Sequence, residues 1–334
     1  MTGRASVFSN EKVIEWIKRD FVPLAVNVSN LQSQQDRDGR FFRKIAEQGH
    51  YAGRTKPTST RQGLYIATVD GTLLASNNTG SPIEVLRLMH KGINAWNRGA
   101  KNSKGKFKSS AEPDENYKVT FPEGGLILRE TMRDLPRPRQ LHHKTAPHNF
   151  DHVWMTAEEV KSFAPAKPEP GLKYEIPEKY VRRLVQFHLI DQVKGESPAW
   201  EKSQIINASI SALVTQVADE ESGTPRIRIK LKGSAKCICP PTGERNPYTN
   251  LRITAERGIE VVIRGWLTYD TKTESFTDFD LLACGERWGT ATYSFRGRDM
   301  ERSPIGFAFE QLEVKPENMI RPAFVLQGYF DYGS

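Results

Sequence analysis

The sequence predicts an α/β N-terminal domain followed by an α+β domain with a mainly antiparallel sheet or partly closed barrel. Three observations predict this. Apolar positions over the first hundred residues follow the order helix, strand, helix, hairpin, helix. Beyond Ser203 the apolar period changes from helical to two, in four long runs. Between them lies "NRGAKNSKGKFKSS", a Gly/Ser/Lys stretch without hydrophobic periodicity. The expected boundaries are 1–97, a basic polar linker at 98–116, and 117–334.

In "NEKVIEWIKRD", Val13, Ile14 and Ile17 fall on one helical face and Asn10 is placed to cap it. "FVPLAVNVS" (Phe21 to Ser29) reads as a short strand. A polar stretch leads to a second helix, "RFFRKIAEQG", closed by Gly49. "GLYIATVDGTLLAS" reads as a hairpin turned at Asp70-Gly71. "SPIEVLRLMHKGINAW" reads as a helix with Ser81 at the N-cap and Pro82 at N1.

This element order, with the "FVPLAVNV" strand and the "LYIATVDGTLLAS" hairpin, resembles the thioredoxin-like family over residues 1–97. The resemblance implies a Cys-x-x-Cys before the first helix and a cis-proline before the hairpin. Here the first window is "TGRA", with Thr2 and Ala5 at the thiol positions, and Gln62 stands about where the proline would be. Thiol-disulfide exchange needs an attacking thiolate and a resolving sulfur, and no cysteine precedes Cys237. The expectation is a thioredoxin-like domain without its redox dithiol, not a conventional oxidoreductase. The family's first strand would lie upstream of what this chain supplies, which implies a trimmed domain or a different start.

In the second domain, "YKVTFPEGGLILRETMRDL" reads as strand material, and Thr156 to Glu159 form a capping box opening a short helix. "PEKYVRRLVQFHLIDQV" (Pro177 to Val193) reads as a longer helix with Val181, Leu184, Val185 and His188 near one face. The long strands are "SQIINASISALVTQVADE", "PRIRIKLKGSAKCIC", "GIEVVIRGWLTYD" and "ESFTDFDLLACGERWG", with "YDTKTESF" as the hairpin between the last two and "SPIGFAFEQLEV" as a fifth.

With 37% apolar and 26% charged residues, the chain has the composition of a soluble globular protein. Three cysteines are too few for a disulfide framework and point to a reducing compartment. Neither a signal peptide nor a transmembrane span is legible, so a cytoplasmic location and no membrane partner are expected. The net charge of +8 concentrates around the linker and in "RDLPRPRQLHHK"; a solvated linker is favoured over a phosphate-binding strip, because aromatic interleaving is confined to Phe107.

The densest set of candidate ligands is "LHHKTAPHNFDH", holding His142, His143, His148, Asp151 and His152, four of the seven histidines. Imidazoles with a carboxylate suit zinc or another transition metal when three or four converge. Pro147 and the local polarity predict a loop there, and a His-rich surface loop is the plainer reading. Alternation puts Cys237 and Cys239 on one strand face, where buried packing is favoured over metal binding. Cys284 is a lone thiol near a strand end. Arg226, Arg228, Lys230 and Lys232 alternate with Ile227, Ile229 and Leu231, so one face is basic; it is either the solvated side of a half-buried strand or a polyanion platform. His188 reads as a satisfied core or boundary histidine.

Three functions stand open in this order. The first is a non-catalytic thioredoxin-like interaction or scaffold protein whose partner is another protein. The second is a metal-dependent enzyme or metal-binding protein with its site near His142 to His152. The third is a binder of nucleic acid or another polyanion. Fold alone does not decide among them.

Overall fold

The period-two runs beyond Ser203 become the longest elements of the computed structural model: β7 (Ile205–Ala218), β8 (Arg226–Cys239), β9 (Arg257–Asp270) and β10 (Ser275–Trp288). The structure describes residues 7–8, 10–26, 28–51, 61–99, 120–137, 148–218, 226–245, 250, 252–297, 299–325 and 327–330. The chain divides into two compact units, Met1–Val119 and Thr120–Ser334.

In the first unit, α1 (Glu11–Asp20) starts where the Asn10 side chain accepts a hydrogen bond from the Val13 amide at 3.2 Å. Next come α2 (Val28–Ser33) and α3 (Arg37–Ala46), the latter capped by Asp36, which accepts from the Gly39 amide at 2.9 Å. Strands β1 (Leu64–Ala67) and β2 (Leu73–Asn77) form an antiparallel hairpin. Gly71 adopts φ +82°, the left-handed region that its turn requires. Helix α4 (Pro82–Asn97) begins with Pro in its first turn, and its Val85 and Met89 join Val7 and Val13 in a small core against Leu64 and Ile66.

Two expectations for this unit are corrected. The strand expected over Phe21 to Ser29 does not form, and Val28–Ser33 is helical. An extended segment becomes a strand only when its amides are paired, whereas Val22 and Leu24 are 96% and 83% exposed and Pro23 has no amide to donate. The second helix starts three residues early because Asp36 caps it. The βαβ arrangement implied by a thioredoxin-like fold is therefore not evident among the described residues, whose only strands here are the hairpin pair. Gln62 is exposed ahead of β1, with its carbonyl 3.3 Å from His50 Nε2. Thr2 and Ala5 lie outside the described residues, as do residues 100–116 of the expected linker.

The second unit is an α+β assembly on one eight-stranded antiparallel sheet. It adds β3 (Leu126–Asp134), β4 (His148–Met155), β5 (Lys173–Glu175) and β12 (Ser303–Leu312) to the four long strands, in the order β4-β3-β12-β10-β9-β8-β7-β5. A two-stranded ribbon pairs β6 (Gly195–Glu196) with β11 (Tyr293–Ser294). The sheet is open: β4 and β5 end it and do not pair, so the barrel alternative is set aside. Ile227, Ile229 and Leu231 of β8, with Ile259, Val261 and Ile263 of β9, are buried on one face. Alternate residues face outward.

Two helices serve the covered face. The Thr156–Glu159 capping box opens α5 (Ala157–Ser162), with both reciprocal bonds present. Helix α6 (Glu178–His188) packs on β7 through an apolar stripe that includes Val181 and Val185. It ends five residues before the expected Val193, because Asp191 serves elsewhere: it accepts from the Val193 amide at 3.2 Å and from Arg296 at 2.8 and 2.9 Å. Arg296 is buried and also pairs with Asp134 of β3 at 2.6 Å and Asp299 at 2.8 Å. Such a guanidinium is tolerated inside only because its donors meet carboxylates. The network ties the end of β3 to the chain just beyond α6, which sets where His188 sits.

Candidate metal centre

Along β3, Leu128, Glu130, Met132 and Asp134 are buried while Arg129 and Arg133 are exposed. Glu130 thus occupies an apolar phase of the strand, in a cross-strand row with Phe309 of β12 and Leu281 of β10. Its other neighbour, directly opposite on β4, is Asp151. Two like charges opposite each other in a sheet repel, and burial makes the repulsion worse. His188, the last residue of α6, closes over the pair. Its Nδ1 lies 2.8 Å from Glu130 Oε2 and 3.8 Å from Asp151 Oδ2. Its Nε2 lies 2.6 Å from the Tyr329 hydroxyl, which also accepts from the Trp154 amide at 3.2 Å.

The three side chains are shielded from water: His188 and Glu130 are fully buried and Asp151 is 13% exposed. Burial, and then the nearby Asp151 charge, pushes Glu130 well above the usual carboxylate range. Burial likewise pushes Asp151 up to about 7, against the amides of His152 and Ala323 that hold it down. Burial, reinforced by Arg183, pushes His188 well below its ordinary value. All three shifts disfavour charge, as expected of ionisable groups removed from water. A bound cation reverses this logic by favouring both carboxylates.

One atom in the cluster is left over. Glu130 Oε1 is buried with no hydrogen-bond partner among the described residues. Orphaned acceptors of this kind cost roughly 1–3 kcal/mol or more and call for a reason. One ligand atom each from Glu130, Asp151 and His188 lie within 4.8 Å of one another, a separation that ligands of one ion can span. The group is compatible with a metal site through two carboxylates and one imidazole.

The residues expected as ligands from the sequence are divided by this geometry. Asp151 is in the cluster. His148 and His152 belong to the strand β4, where a loop was expected; their even positions put them in the opposite phase from Asp151. His148 is exposed beside Phe150, their ring centroids 5.1 Å apart. His142 and His143 lie outside the described residues. His188, read from sequence as a core histidine, is the imidazole of the cluster. Glu130 was missed, although a lone acid in the apolar phase of "LILRETM" was the signal for it. Tyr329 carried no local signal.

Cys237 and Cys239 are both buried, on the face their alternation predicts, and burial pushes the Cys237 thiol up to about 12. Cys284 is exposed on the other face. Arg226, Arg228, Lys230 and Lys232 are exposed along β8. No protein-family model, curated protein or solved structure matches the chain. Among the described residues, no helix is long and apolar enough to cross a membrane.

Proposed function

We propose that the unit Thr120–Ser334 binds one divalent transition-metal ion, held by Glu130, Asp151 and His188. The observation that carries this reading is the buried, unpartnered Glu130 Oε1 beside a second carboxyl and an imidazole. A dication there would satisfy the orphaned acceptor and offset the repulsion between the two opposed acids. An oxygen-rich set with one imidazole suits zinc or manganese. The burial of the donors favours a structural ion that clamps β3, β4 and α6 over a catalytic ion, which keeps an open position for water or substrate.

Elemental analysis of the purified full-length protein tests this. About one equivalent of zinc or manganese per chain is expected, falling to background in Glu130→Gln and Asp151→Asn. Glu130→Gln keeps the neutral shape of the site, so its metal-free form is expected to stay folded. A folded wild-type protein that holds no metal, and whose melting temperature is indifferent to added zinc and manganese, would overturn the proposal.

A further inference from the structure

The outward face of the long strands carries a charge pattern that sequence alternation alone did not reveal. On β8 it presents Arg228, Lys230 and Lys232; on β10 it presents Asp278, Asp280, Leu282 and Glu286. Strand β9 runs between them with Val262, Arg264 and Trp266 outward, Val262 and Trp266 each 51% exposed. The register puts these residues in matching rows. Arg228, Thr268 and Asp278 share one row; Lys230, Trp266 and Asp280 the next; Lys232, Arg264 and Leu282 a third. A basic stripe and an acidic stripe therefore flank a partly apolar centre line at the same heights.

Two strand spacings, about 9.6 Å, separate the stripes within one sheet, so they do not pair directly across β9. Each is left with excess charge of one sign. Lys230 turns to the Trp266 ring, 5.0 Å from its centroid. Asp280 is raised from its ordinary value by slight desolvation and by its neighbours Asp278 and Glu310.

We propose that this face is the interface of a homodimer, two copies packed sheet on sheet about a two-fold axis running along β9. Rotation about that axis exchanges left and right while preserving height along the strands. It lays β8 of each copy over β10 of the other. Arg228 then faces Asp278 of the second copy and Lys230 faces Asp280, each contact occurring twice, as an isologous interface demands. Trp266 and Val262 meet their own counterparts on the axis, as does Arg264 between them, a like-charge contact that its guanidinium blunts by donating back to the Ile263 carbonyl at 2.9 Å. The aliphatic stem of Lys232 covers Leu282. Aligned sheets pack about 10 Å apart at about −30°, a distance that long charged side chains bridge. Strands β7, β8, β9, β10 and β12 offer about 24 Å by about 40 Å of face, near 1,000 Å² per copy, against about 800 Å² per partner in a stable complex. A polyanion fits less well, because the acidic stripe would repel whatever the basic one attracts.

Sedimentation velocity of the full-length protein, at low and high salt and over a range of concentrations, tests this. A dimer at low salt that dissociates as salt screens the pairs is expected. Lys230→Glu and Asp280→Lys should each weaken dimerisation at least tenfold, and the double variant K230E/D280K should restore it, because both copies then carry the reversed pair. Arg228→Asp with Asp278→Arg provides a second exchange should one of these variants fail to fold by circular dichroism. A wild-type monomer at all concentrations, or a double variant no better than the singles, would overturn the proposal. So would a mixed-sequence oligonucleotide whose binding is lost in K230E, improved in D280K and not rescued in the pair, a result that assigns the face to polyanions.

Discussion

Glu130 and Asp151 stand directly opposite each other on β3 and β4, and His188 Nδ1 approaches both carboxyls. Adjacent buried acids are rarely retained without a compensating charge.

Chelation should therefore cost stability. An ion at a hundred times its dissociation constant adds about 2.7 kcal/mol, which for a unit of this size corresponds to roughly 5–10 °C in melting temperature. Differential scanning calorimetry with and without EDTA measures the difference. The same comparison on Glu130→Gln should show none, and an EDTA effect that persisted in that variant would place the ion elsewhere.

Tyr329→Phe removes the hydroxyl that meets His188 Nε2 and accepts from the Trp154 amide. It leaves buried polar atoms unpaired on β4 and α6. The expected loss is roughly 1–3 kcal/mol in urea unfolding, with the slope of the transition unchanged. A neutral result would mean that water replaces the hydroxyl.

The Asp299 carboxyl sets an acid limit. Burial alone would raise it, yet hydrogen bonds from Arg137, Arg287 and Lys194 hold it well below the usual range. A group depressed in the folded state contributes stability above its unfolded value near 4. That contribution is lost as pH falls from about 4 toward the folded value. Stability should drop between about pH 4.5 and pH 2.5, and Asp299→Asn should be weaker at neutral pH but lose less on acidification. Denaturant midpoints measured across that range decide it.

Gly258 lies against Trp288 so closely that an added Cβ would come within 2.1 Å of the indole, which Glu256 holds through the ring N–H at 2.9 Å. Gly258→Ala should cost roughly 1–3 kcal/mol through overpacking and shift the Trp288 fluorescence. Gly243→Ala makes a poor control because of its φ of +69°; an exposed substitution such as Thr277→Ala serves better.

The thiols should separate by reactivity. Cys284 is exposed, while Cys237 and Cys239 are buried and Cys237 is held protonated at neutral pH. A thiol reagent applied to dilute native protein should modify one equivalent rapidly and the other two only as the second unit unfolds. Three fast equivalents would contradict the packing of β8.

Most of what was legible from residues alone was local. The Asn10 cap, the Ser81-Pro82 start, the Asp70-Gly71 turn and the Thr156–Glu159 box each depend on atoms three or four positions apart, and all lie where expected. The strand expected at Phe21 to Ser29 required a remote partner, and sequence has no term for whether one arrives. Asp151 was named as a ligand, but with its strand neighbours His148 and His152, because proximity in a window says nothing about which phase of a strand a residue occupies until the strand is known. His188 lies 58 residues from Glu130 and 141 from Tyr329.

By itself the sequence determined that the four long runs beyond Ser203 are extended, that a helix follows Pro177, and which of their sides are apolar, but not that His148–Met155 is a strand. Backbone sterics impose periods of 3.6 and 2.0 over a few residues, and side-chain type then reports the face. Tertiary structure decided strand order and register, and with them two juxtapositions: opposed acids beneath an imidazole, and a basic stripe level with an acidic one two strands away. Those depend on how distant apolar faces bury one another, a choice made by the whole assembly, of which no single window carries more than a fragment.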